Sequence, residues 1–401
     1  MIALCNLTVL ALLGFLLRYK IAFSLPILDQ KHLLHAHSHF AFSGWVSLAL
    51  MILQVFVVST RSGNDLFRRY RVIFWIQLVS CWGMLFSFVV QGYGAVSIAF
   101  STLSILLSYY YSFMLWRDMR HGKGYRLSAL CFKVALLSSA LSTLGAFGLS
   151  LLMATHTANQ HLYLAALYFF LHFQYNGWFI ITLLGVAAFF IERSGHSSDR
   201  FRKHMWYIIA ALGPSYFLST LWMELPMTIY IMVVLSAIVQ LLGWAGIVKI
   251  LLSELNLLRG LSPGLRNLIV LVLLAFSVKV LLQAGSTIPS LSTLAFGFRP
   301  IVIGYLHLVL LGVVTLGILS AFIGLAGDDL PLRLRLGIHL FYAGVILNEF
   351  LLMLQGVAAM GYVVLPFTNE GLLFIAGMLL NGSVLIVLGW RKLISQGSIV
   401  R

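Results

Sequence analysis

Three histidines at alternate positions, His35, His37 and His39, stand at the mouth of the apolar run "HAHSHFAFSGWVSLALM". A neutral imidazole nitrogen is a strong ligand for iron, copper or zinc, and two such rings from facing helices can hold a haem iron axially. The pattern recurs along the chain. From His39 it reads H-F-A-F-S-G-W, from His172 H-F-Q-Y-N-G-W and from His307 H-L-V-L-L-G-V, so each histidine is followed five residues later by Gly44, Gly177 or Gly312. The histidines are 133 and 135 residues apart. One H-x4-G match means little in a chain with 34 glycines, because membrane helices favour glycine for close packing. Three matches in phase with the helix count point to an internal repeat. The alternative for each imidazole is a hydrogen bond to a neighbouring helix.

The elements that must position these rings are long and apolar. The chain has 9% charged and 61% hydrophobic residues, where a soluble domain has about a quarter of its residues charged. Its mean hydropathy is +0.99. About 20 apolar residues cross roughly 30 Å of hydrocarbon at about 1.5 Å per residue. Twelve stretches qualify, near 2–18, 33–58, 70–91, 93–116, 128–153, 162–191, 205–224, 226–252, 266–284, 300–326, 334–358 and 370–393. The expected fold is an all-α polytopic membrane protein, a single transmembrane domain over 1–401. It divides into three pseudo-repeats of four helices, at approximately 1–127, 128–262 and 263–401. A histidine lies on the second helix of each repeat.

The formal charge of +15 would suit nucleic acid, but its placement argues for a membrane instead. Basic residues cluster at Arg61, Arg68, Arg69 and Arg71, at Arg117, Arg120, Lys123, Arg126 and Lys133, and at Arg193, Arg200, Arg202 and Lys203. Together with Lys249, Arg259, Arg266, Arg333, Arg335, Arg391, Lys392 and Arg401, they put 21 of 26 on one side. The positive-inside rule makes that side cytoplasmic, with both termini inside, in a bacterial inner membrane; Arg18, Lys20 and Lys31 are exceptions. Cys5, Cys81 and Cys131 lie in or near apolar spans without metal-type spacing and suggest no disulfide framework. The chain has no CxxCH, which excludes covalent c-type haem attachment.

Twelve helices in three groups of four, both termini inside, with histidines on helices 2, 6 and 10, resemble subunit I of the haem–copper oxidase and nitric oxide reductase superfamily. The string "HSHFAFSGW" is similar to the H-x-H-x4-G-W opening of helix 2 in short relatives of the C-type oxidases. The resemblance covers the whole chain in topology, and in sequence only these three helices. It implies that His39 and His307 hold a low-spin haem, non-covalent and of b type, with His37 in reserve should the register shift. It also implies that His172, in "LHFQYNGWF", corresponds to one of three copper ligands. Two departures stand out. Tyr305, in "GYLHL", replaces the histidine of the high-spin haem, and helix 7, "MWYIIAALGPSYFLSTLW", lacks the paired histidines of the copper site. The expectation is therefore a bis-histidine haem for electron transfer or for sensing nitric oxide or oxygen, the dinuclear reductase centre being lost. A tyrosinate haem ligand at Tyr305 and a residual copper at His172 are the variants on this reading. Any enzyme activity would be that of a membrane oxidoreductase, served by an electron-transfer partner or accessory subunit.

The other function class is a transporter or membrane scaffold in which the histidines are structural or bind a transition metal. Carriers usually repeat twofold, commonly with helices broken near the midplane; this chain repeats threefold and has only eight prolines, Pro214 being the clearest within a span. His32, His35 and His37 read as interfacial and wet, though His35 and His39 share one helix face and could hold a metal between them. His121, His196 and His204 fall in expected cytoplasmic loops. Lys279 and Glu349 reach roughly 20 Å inward, the histidine level, at about 1.5 Å per residue, and an ion pair between them would reduce the cost of burying either. Asn176, Gln174 and Tyr175 either orient a ligand at His172 or knit helices together.

Overall fold

The structure, a computed structural model, describes residues 1–120, 126–195, 198–254, 259–327 and 329–396. His121, Lys123, His196 and Arg401 lie outside the described residues. Among the described residues the regular elements are helical and none is a strand. Helices are the form expected where no water is present to satisfy backbone groups. Eleven are long and apolar enough to cross a membrane: α1 (Ile2–Ala22), α2 (Gln30–Ser62), α3 (Phe67–Gln91), α4 (Ala95–Asp118), α5 (Arg126–Ala154), α6 (Gln160–Arg193), α8 (Met227–Ser253), α9 (Pro263–Gly285), α11 (Arg299–Ala326), α12 (Leu332–Met360) and α13 (Thr368–Ser395). Among the described residues the shorter helices include α7 (Asp199–Leu212) and α10 (Pro289–Gly297). The chain is a multi-pass membrane protein.

The seventh expected span is where sequence and structure part. Instead of one helix over 205–224, α7 ends at Leu212 and a 3-10 segment, Pro214–Thr220, follows. Pro214 has no N–H to continue the α ladder, and its ring collides with the carbonyl four residues back. The Tyr216 N–H turns to the Gly213 carbonyl at 3.1 Å, the tighter three-residue spacing.

Two compact units divide the chain. One comprises Met1–Leu115 with Thr315–Arg401, the other Trp116–Val314. In the first, α12 and α13 meet backbone to backbone: a Cβ on Gly337 would stand 2.7 Å from the Ile386 nitrogen, and one on Gly382 would stand 2.8 Å from that of Phe341. Small residues let membrane helices approach this closely, where no hydrophobic force drives them together. In the second, the Glu192 carboxylate at the end of α6 accepts from the first N–H groups of α5, Leu127 at 3.0 Å and Ser128 at 3.4 Å. It meets both the orphan donors and the positive end of the helix dipole.

Helices α2, α6 and α11 share a feature that the other long helices lack. Each runs as an α-helix up to a histidine, widens into eight residues of π-helix, and resumes as α-helix. The π segments are Phe40–Ser47 after His39, Phe173–Ile180 after His172 and Leu308–Thr315 after His307. In a π-turn the N–H bonds to a carbonyl five residues back. Five is also the spacing from each histidine to its glycine, so the H-x4-G repeat marks the first wide turn.

A wide turn needs room and partners. A Cβ on Gly177 would clash with Ser138 of α5, and one on Gly312 would lie 3.2 Å from Ala275 of α9. Around the first π segment, buried side chains take up the main-chain carbonyls: Asn6 Nδ2 donates to Gly44 O at 2.7 Å, Gln77 Nε2 to Ser43 O at 3.0 Å and Ser43 Oγ to His39 O at 2.6 Å. Asn6 and Gln77 are 1% and 4% exposed, and these bonds account for amides placed so deep in apolar helices. Trp45 Nε1 donates to Thr315 Oγ1 at 3.1 Å, within the same unit.

Overpacking a close contact costs about 1–3 kcal/mol. Gly177→Ala is therefore expected to lower the thermal unfolding midpoint in detergent by several degrees. Gly312→Ala, whose new methyl would meet only side-chain carbons, Ala275 Cβ at 3.2 Å and Leu308 Cδ1 at 3.6 Å, is expected to stay nearer the parent. Equal midpoints for the two variants would contradict this account of the wide turns.

Candidate functional site

Helix α2 opens on Asp29, whose Oδ1 accepts from the N–H groups of Lys31 and His32, both at 2.8 Å. The His32 N–H first, with that of Lys31, holds the Asp29 carboxyl below its ordinary value, so the cap stays ionised as pH falls into the acid range. The cap sets the helix phase, and His32, His35 and His39 then recur at intervals of three and four on one face. That face meets the end of α3. The His32 ring fills the space that a side chain on Gly92 would occupy, and His35 stands edge-on to Tyr93 with ring centroids 4.7 Å apart. His39 stacks on Phe88 at 4.2 Å and 19°, with Nε2 3.0 Å from the Tyr93 hydroxyl. His37 turns the other way, toward α1, where its Cε1 would lie 3.4 Å from a Cβ on Gly14. The histidines expected to be wet are thus packed against neighbours, and His35 Nε2 is buried with no hydrogen-bond partner.

In the other unit the His307 Nδ1 lies 2.8 Å from the Ile303 carbonyl, one turn back. A carbonyl only accepts, so Nδ1 carries the proton and Nε2 holds the lone pair. Many metal-bound histidines are oriented in this way. Two positions away, the Tyr305 side chain interacts with that of Tyr175 within the same unit.

His172, 1% exposed, is fully engaged. Its Nε2 donates to the Leu212 carbonyl at 2.8 Å, and its Nδ1 accepts from Asn176 Nδ2 at 3.1 Å. In an unbroken α-helix the Leu212 carbonyl would accept from the Tyr216 N–H, which turns to Gly213 instead, and Ser215 Oγ supplies a second donor to Leu212 at 3.1 Å. His172 therefore mends the break between α7 and the 3-10 turn. With both ring nitrogens occupied, the site does not fit copper. Among the described residues no group of three or more His, Cys, Asp or Glu side chains is placed to hold a metal ion. Cys5, Cys81 and Cys131 are free thiols.

The two deep ionisable residues fall in different units. Lys279, 1% exposed, places Nζ 5.2 Å from the centroid of the Phe276 ring, a cation–π contact one turn away on α9. Glu349 Oε1 accepts from Asn348 Nδ2 at 3.1 Å, while its Oε2 is buried without a partner. Sequence reasoning passed over Tyr93 and the Leu212 carbonyl. The H-x4-G spacing signals the wide turns, but nothing local in the sequence marks which backbone groups they and Pro214 would release.

Removing the His172 ring strands the Leu212 carbonyl and the Asn176 amide, at a cost of about 1–3 kcal/mol for each buried group left unpaired. His172→Ala is expected to lower the unfolding midpoint measurably, and His172→Gln to recover part of the loss by offering an amide donor. Copper content measured on the purified parent and on both variants is expected to be the same. Comparison with known proteins places no name on this geometry: no family model matches the chain, and no curated protein matches it.

Proposed function

We propose that this chain is an integral membrane haem protein with the helix plan of haem–copper oxidase subunit I. Its proposed cofactor is one non-covalent low-spin haem, with His39 and His307 as the iron ligands the resemblance implies, and its work is electron transfer or the sensing of nitric oxide or oxygen. When bound, such a six-coordinate haem supplies one reversible electron and leaves no open iron position for oxygen chemistry. The reading rests above all on the recurrence of a π turn directly after each of the three histidines. Wide turns inside α-helices are costly, and they collect at functional sites. The orientation of His307 supports it, because a ring whose Nδ1 proton is held by a backbone carbonyl is the arrangement in which many iron-bound imidazoles are held. His39 contributes the second ring, held by Phe88 on its face and by the Tyr93 hydroxyl at Nε2, the contact that gives way when iron takes the nitrogen. His172, with both ring nitrogens spent on internal hydrogen bonds, is assigned no metal in this reading. The proposed setting is a bacterial inner membrane with both termini cytoplasmic and an electron-transfer partner at the haem.

A transporter is the second reading. The interruption at Gly213 and Pro214 favours it, because discontinuous helices line the binding sites of many carriers. It gives the π turns no role.

The absorption spectrum of the purified protein, oxidised and then reduced with dithionite, separates the two. A sharp reduced α-band is expected, lost in both His39→Ala and His307→Ala and retained in His172→Gln. Colourless protein from haem-replete cells would sink the haem reading.

A further inference from the structure

Of the lysines and arginines among the described residues, Lys279 is the one that is buried, 1% exposed within α9. An ammonium group inside hydrocarbon is costly unless a counter-charge or several acceptors meet it. Among the described residues no carboxylate pairs with Lys279 and no oxygen accepts from its Nζ, whose contact is the ring of Phe276 at 5.2 Å. A cation–π contact offsets part of the cost and leaves the N–H donors of the ammonium unmatched.

The surroundings of Lys279 are fixed from both sides within one unit. Phe276, Lys279 and Gln283 recur at intervals of three and four on one face of α9, and that face packs on α8. On the turn before Lys279, Trp244 Nε1 donates to Ser277 Oγ at 2.9 Å, and the Trp244 ring stands edge-on to Phe276 at 4.4 Å. On the turn after it, Gln240 Nε2 donates to Gln283 Oε1 at 3.1 Å, both glutamines being buried. The lysine thus lies between two cross-helix braces, and its charge also reaches the His172 ring on α6. That ring is no acceptor for it, because Nδ1 is taken by Asn176 and Nε2 donates to the Leu212 carbonyl.

The bond from Gln240 occupies the oxygen of Gln283 and leaves its amide nitrogen, a further donor one turn from Lys279 on the same face. Were Nζ a neutral amine, its lone pair would accept from that amide, and no such bond joins the two side chains. An ammonium and a carboxamide nitrogen together present donors alone, and donors alone recognise an anion. One ammonium compensates one charge, so a divalent ion would bring a second, unmatched charge into the same low-dielectric setting. Lys279 stands six residues before the end of α9 at Gly285, about 9 Å at 1.5 Å per residue, which places it near a helix end. We infer that Lys279 Nζ and Gln283 Nε2 bind a small monovalent anion of the halide class. The site is confined to one unit and stands independently of the haem reading.

The test uses the full-length protein in detergent, purified in gluconate and dialysed against radioactive chloride. A single saturable chloride per chain is expected, with none in Lys279→Met and parent-like binding in Lys249→Met, which removes an exposed lysine of α8. Gln283→Leu is expected to raise the half-saturating concentration by about tenfold, the effect of losing one hydrogen bond to a charged group. An ion that binds only the folded chain stabilises it, so chloride replacing gluconate at constant ionic strength is expected to raise the unfolding midpoint of the parent and to leave that of Lys279→Met unmoved. A parent without saturable chloride, or a Lys279→Met protein that binds as the parent does, overturns the site. Displacement of the chloride by sulfate as readily as by bromide overturns the assignment of a monovalent ion. Should Lys279→Met not fold, Gln283→Leu decides, and a half-saturating concentration equal to the parent's overturns the site.

Discussion

Within hydrocarbon, a backbone carbonyl released from the helical ladder has no water to turn to, and its desolvation is a standing penalty until some N–H or O–H reaches it. That constraint organises the buried polar chemistry of this chain. The ladder is disturbed where three helices widen into π turns and where Pro214 halts α7. Buried polar side chains gather at those places: Asn6 and Gln77 at the first wide turn, His172 and Ser215 at the proline break. An amide on a membrane helix looks like a candidate binding group until the carbonyl it serves is identified.

The same constraint sorts the histidines. A ring with both nitrogens committed to protein, as in His172, is a structural brace. In His307 a carbonyl one turn back fixes the proton on Nδ1, and so sets the tautomer and orientation of the ring. The equivalence that links the three positions is therefore one of local backbone shape more than of chemistry. At the second of the three positions the ring is spent on repairing its neighbour's helix break.

The membrane class, most of the spans and the recurrence of a histidine five residues before a glycine were legible in the sequence, because length, hydropathy and spacing act locally. The seventh span was misread, although Pro214 stood in plain view. An apolar window of 20 residues outweighed a single residue whose effect is to remove one donor and one allowed conformation. The wide turns were visible only as an unexplained spacing, since α and π backbones draw on the same apolar residues and differ in which carbonyl each N–H meets. The packing of His32 and His35 was not legible. Their neighbours Gly92, Phe88 and Tyr93 lie more than fifty positions away, and only the antiparallel return of α3 brings them alongside.

A π turn is what a helix becomes when one extra residue is inserted and the flanking turns are held in place by their packing. All three such turns begin at the same register, one residue after the histidine. Three independent insertions at that register would be an uneconomical history. Duplication of an ancestral four-helix segment that already held the insertion needs only one. On that account the bulge is as old as the histidine-to-glycine spacing that it accompanies.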